Sequence, residues 1–112
     1  MKNESEAILL RIFIGENDKL GARSLYEVII EEARKFGMAG ATGIRGCLGF
    51  GANSIVHTSK TMRLSQDLPF IIEIVDVEEK INKFLPIIDK LLKEGLVTIE
   101  KAHVIFYRGN SK

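Results

Sequence analysis

Cysteine is almost missing from this chain of 112 residues: Cys47 stands alone, so no disulfide can form within the chain, and a single thiol fits a reducing compartment. Proline is nearly as scarce, with two, and together with 46% hydrophobic and 28% charged residues this excludes a disordered or fibrous chain. No apolar run reaches the roughly 20 residues of a membrane span, and the polar start Met1 to Glu6 does not resemble a secretory signal. A cytoplasmic protein is expected. An excess of one charge is missing too. Sixteen Lys and Arg balance fifteen Asp and Glu to a net +1, which removes any global electrostatic case for a nucleic-acid partner and makes any anion site a local one. The two histidines, His57 and His103, form no recognised metal-ligand spacing and read as surface residues. Catalytic pairings are also lacking, since no nucleophile with a base and no pair of carboxylates stands at usable spacing.

Glycine, by contrast, is concentrated: Gly37, Gly40, Gly43, Gly46, Gly49 and Gly51 fall within fifteen positions. A strand loses packing and entropy at each of them, and what it gains is close approach to its backbone. The stretch reads either as a ligand-binding edge or as a bulged strand packed tightly at a subunit interface. It is not a dinucleotide fingerprint, which needs a strand before it and a helix after it.

Ala7 to Ile14 is an apolar run broken by Arg11 and reads as a strand, followed by turn-like sequence to Gly21. Ser24 and Glu27 form a potential capping box for a helix carrying Leu25, Val28, Ile29, Ala33 and Phe36 on one face and stopping at Gly37. Ala39 to Phe50 is the glycine-rich second strand, and 52–67 is a long polar loop, expected to be mobile or functional. Leu68 to Val77 is apolar enough to be buried on both faces, Glu73 excepted. Glu78 to Leu92 reads as an amphipathic helix with Asp76 as its cap and Pro86 as a kink or break, and Leu96 to Tyr107 as the last strand. The order strand, helix, strand, strand, helix, strand specifies an α+β, ferredoxin-like βαββαβ domain spanning 1–112, with residues 1–6 flexible and a four-stranded antiparallel sheet bearing two helices on one face. Its other face needs a partner, and self-association is the simplest one.

Single residues carry alternatives. Arg45 and Arg108 suit bidentate phosphate binding or pairing with carboxylates. Glu73 suits an intersubunit ion pair, a ligand contact or a sheet margin, the first being the plainest. Cys47 reads as a small buried hydrophobe without chemistry. The polar loop residues Ser54, Thr58, Ser59, Lys60, Thr61 and Arg63 suit a phosphate, a partner or solvent.

Gly49-Phe50-Gly51 before the long loop, with Gly40-Ala41-Thr42, Leu68-Pro69 and Ile72-Glu73-Ile74-Val75, resembles the PII signal-transduction proteins over most of the chain. The pattern of Gly46, Gly49-Phe50-Gly51-Ala52, His57-Thr58-Ser59 and Leu64 to Pro69 is closer to their small, PII-like relatives. That resemblance implies a non-enzymatic homotrimer that binds an adenine nucleotide between subunits as a ligand, with no tightly bound cofactor, and signals through the 52–67 loop to a target protein. Whether the target is a membrane transporter or a metabolic enzyme stays open. Thr42, Gly49, Phe50, Gly51, Glu73 and Val75 match positions lining the nucleotide cleft, as does the backbone of Gly95, Val97 and Thr98, while Arg108 matches one of two arginines that the adjacent subunit contributes to phosphate and Arg45 joins them from the glycine strand. Phe106 stands where a second such arginine would be, and Lys93 to Thr98 abbreviates a phosphate-cradling turn, so AMP or ADP is favoured over ATP. With no tyrosine in the loop, a uridylylation site is not expected. The main rival is a trimeric divalent-metal-binding protein resembling the cation-tolerance family, in which His57 or His103 would meet a carboxylate across an interface.

Overall fold

The computed structural model describes residues 3–51 and 67–109. The chain begins with strand β1, Asn3–Gly15, which starts inside the segment expected to be flexible. A small hairpin follows, β2 at Lys19–Leu20 and β3 at Arg23–Ser24, where the sequence indicates only a turn. Helix α1 then spans Leu25–Phe36. Ser24 precedes it in extended conformation, but its side chain makes no capping hydrogen bond, so the expected capping box does not form. Gly37 closes the helix at φ 91°, donating its N–H to Arg34 while Met38 donates to Ala33.

The second expected strand shrinks to β4, Thr42–Arg45. The other residues assigned to it from sequence, Ala39 to Ala41 and Gly46 to Phe50, are irregular, consistent with the cost of glycine in a ladder. The 52–67 loop, apart from Asp67, lies outside the described residues. Strand β5, Pro69–Asp76, alternates instead of burying both faces: Phe70, Ile72, Ile74 and Asp76 are buried, while Ile71, Glu73 and Val75 are half-exposed. Helix α2, Glu78–Leu91, runs unbroken through Pro86. Asp76 does not act as its side-chain cap. Its buried carboxylate accepts N–H groups from Ala39 at 2.9 Å and Val77 at 2.7 Å, tying the start of the glycine segment to the end of β5. Strand β6, Leu96–Phe106, ends the described fold.

The sheet order β4-β5-β1-β6, antiparallel throughout, with both helices on one face, is the ferredoxin-like α+β arrangement that the element order indicates. Ile8, Leu10, Ile12 and Ile14 of β1 meet Leu25, Ile29 and Ala33 of α1 and Ile81, Phe84 and Ile88 of α2 in one apolar layer. Each fully buried side chain of this size contributes roughly 1.5–3 kcal/mol. The register of β1 with β6 extends to Asn3↔Phe106, whereas its register with β5 ends at Ile8↔Asp76. A two-stranded arm therefore projects past β5, and the molecule is 50 Å long by 28 and 25 Å. Among the described residues nothing covers the sheet face away from the helices.

Candidate functional site

Strand alternation sends every second side chain to the uncovered face, and the register aligns them. One row crosses all four strands: Thr42 of β4 opposite Glu73 of β5, Glu73 opposite Arg11 of β1, and Arg11 opposite Thr98 of β6. Arg11 donates from Nε to Glu73 at 2.8 Å and from Nη1 to Glu100 at 2.5 Å. The hydrogen bond donated to Glu73 chiefly, then the charge of Glu100, raises the guanidinium pKa. Glu73 is therefore paired with a cation of its own chain. Sequence reasoning gives Arg11 and Glu100 no role, because their meeting depends on the register of three strands distant in sequence.

Thr42, Glu73 and Val75 line a pocket of about 360 Å³ together with Ala39 to Ala41. Its remaining wall comes from the projecting arm, through Val104 and Phe106, and from Tyr107, whose hydroxyl donates to the Ala39 carbonyl at 3.1 Å. Arg108 lies just beyond, its guanidinium carbon 4.1 Å from the centroid of the Phe106 ring. Thus Thr42, Glu73 and Val75 come together, with Arg108 at the edge on the same chain.

The other expected residues gather elsewhere. Phe50, Gly51 and Gly95 line a pocket of about 530 Å³ beyond the opposite end of β1, with Phe13, Pro69 and Leu96. Three carboxylates, Asp18, Asp67 and Glu94, share that lining, and among the described residues no lysine or arginine does. Gly95 needs to be glycine: at φ 140° a Cβ would stand 2.9 Å from the Phe13 carbonyl oxygen. Gly49 sits against Pro69, whose ring a Cβ would meet at 2.7 Å. Val97 borders a shallow groove beside α2, and Thr98 stays on the open face opposite Arg11. Arg45 pairs with Glu16 at 2.5 Å. Cys47 is exposed, contrary to the buried position expected of it, because the segment carrying it leaves the sheet after Arg45.

His103 meets carboxylates of its own chain, Nδ1 lying 2.7 Å from Glu6 and Nε2 3.5 Å from Glu4. The hydrogen bonds of Glu6, then Glu4, raise its pKa. The two acids engage opposite ring nitrogens, and among the described residues no group of three His, Cys, Asp or Glu side chains is arranged to hold a metal. His57 lies outside the described residues.

Residues 7–104 match the DUF190 family model, described as an uncharacterized family, and the chain belongs to that family. It is 38% identical over 98 residues to a UPF0166 protein of Aquifex aeolicus, covering 88% of this chain and 92% of that one. To a UPF0166 protein of Methanocaldococcus jannaschii it is 36% identical over 107 residues, covering 95% and 96%. Among solved structures the fold is that of PII-like signalling proteins. One from Thermus thermophilus superposes with TM-score 0.65 at 16% identity, over 92% of this chain and 93% of that chain. CPII from Thiomonas intermedia, bound to ADP and bicarbonate, superposes with TM-score 0.60 at 19% identity over 94% of each. No helix of the described residues is long and apolar enough to cross a membrane.

Proposed function

We propose that this chain is a PII-like regulatory protein, not an enzyme, whose copies assemble as a trimer and hold an adenine nucleotide in the clefts between them. The observation that carries the reading is the pocket on the uncovered sheet face. It brings together the Thr42 hydroxyl, the Glu73 carboxylate and the apolar Val75, all within reach of a face that one subunit leaves open. CPII, which shares the fold, is described bound to ADP and also to ADP with AMP. The open face supports assembly: Ile44 and Leu96 are 43% and 56% exposed, and apolar surface flanking a charged row on a sheet is what a second copy covers.

A short phosphate chain suits the electrostatics. Arg45 is committed to Glu16, and Gly51 and Gly95 line a pocket beside three carboxylates, which repel added phosphate charge. AMP or ADP therefore fits better than ATP. Binding biases the conformers of the 52–67 loop and so the docking of a target protein. Calorimetry on protein stripped of ligand tests this, with AMP or ADP expected to bind more tightly than ATP. Three flat titrations contradict it.

A further inference from the structure

We propose that Phe106 is the surface on which the purine ring stacks in this site, and that Arg108 occupies that surface until the base displaces it. The inference rests on the nucleotide reading above and assigns it a residue that the match to known nucleotide sites leaves out. Phe106 is 56% exposed, a large apolar side chain lining the same pocket that Thr42, Glu73 and Val75 complete. Arg108 places its guanidinium 4.1 Å over the ring. A guanidinium and a purine are both flat and both stack on an aromatic face, so the two compete for one surface. Tyr107, between them in sequence, is fixed by its hydroxyl to the Ala39 carbonyl, which holds Phe106 at the wall while the following Arg108 swings.

The polar groups of the same pocket address the edge of a base. Glu73 accepts hydrogen bonds such as an exocyclic amine donates, and Thr42 both donates and accepts. Among the described residues the pocket lining includes no lysine or arginine, and Arg108, stacked on one of its wall residues, is a cation positioned to reach a ligand there. Base binding and phosphate capture are then coupled: the base takes the ring, and the released guanidinium turns to the phosphate. The phenylalanine at this position is thereby a stacking platform, with one arginine making the phosphate contact.

Calorimetric titrations with adenosine and with ADP test this in the wild type and in Phe106→Leu, Phe106→Tyr and Arg108→Gln. Phe106→Leu is expected to weaken both ligands about tenfold, the scale of one base–aromatic stack, and Phe106→Tyr to stay within about twofold. Arg108→Gln is expected to bind adenosine about threefold more tightly, the competing cation being gone, and ADP more weakly. In the wild-type complex the adenine H2 and H8 resonances move upfield. Unchanged ADP affinity in Phe106→Leu overturns the stacking role and leaves the nucleotide reading standing, as does a wild-type complex with unshifted adenine protons. A Phe106→Leu protein that changes oligomeric state at unchanged adenosine affinity makes Phe106 a subunit contact, and also overturns it. Absence of ADP binding by the wild type overturns both.

Discussion

His103 is held between Glu6 and Glu4 on the arm formed by the first residues of β1 and the last of β6. Its pKa is raised above the ordinary histidine value by those hydrogen bonds, so the protonated ring favours the folded arm. A raised folded-state pKa contributes stability that is fully present below the unfolded value of about 6.5 and is lost as pH rises through the higher folded value. The His103 C2 proton, followed by NMR with His57→Gln to assign it, is expected to titrate above pH 6.5. A midpoint at or below that value contradicts the geometry. Arg11 acts at the same scale: its bond to Glu73 satisfies a carboxylate in an otherwise apolar strand, and as a half-exposed pair it adds little stability by itself. The bond engages one Glu73 oxygen, Oε2.

Elements were legible where hydrophobic period was strong. The faces of α1 and α2, and the spans of β1, β5 and β6, follow from Leu25, Ile29, Ile81, Phe84 and Ile88 at helical spacing and from the Ile-rich strands. What failed was burial and ends. The run Phe70 to Val75 is apolar at both parities although only one of its faces packs on the helices, and composition alone does not distinguish that from burial between two layers. Thr42, Glu73 and Val75 are named by the family resemblance alone, and what the structure adds is that they line one pocket. Phe106 was noticed only as a missing arginine, and Arg11 and Glu100 depend on a register that no local pattern fixes. Pro86 illustrates the reverse case. Propensity argues for a break, yet apolar packing of Ile81, Phe84 and Ile88 carries α2 through it. The ring removes an N–H that would donate to the Asn82 carbonyl. Because Pro86 is exposed, Pro86→Ala is expected to raise stability by about 1–3 kcal/mol. Thermal unfolding measures this, and an unchanged or lower midpoint contradicts it.

At the scale of the whole molecule, two helices cover one face of the sheet, and the opposite face presents a charged row edged by exposed apolar side chains. A layer architecture leaves such a face exposed only if another copy or a partner covers it. The pocket at Thr42, Glu73 and Val75 opens on that same face, so under the proposed reading assembly and ligand binding share one surface, and a ligand bound there is expected to respond to the subunit contact. Native mass spectrometry of ligand-stripped protein, before and after addition of ADP, reads both at once. A trimer that takes up as many as three ADP molecules, one per cleft, is the expected result. A population of monomers that gains no ADP mass would contradict it.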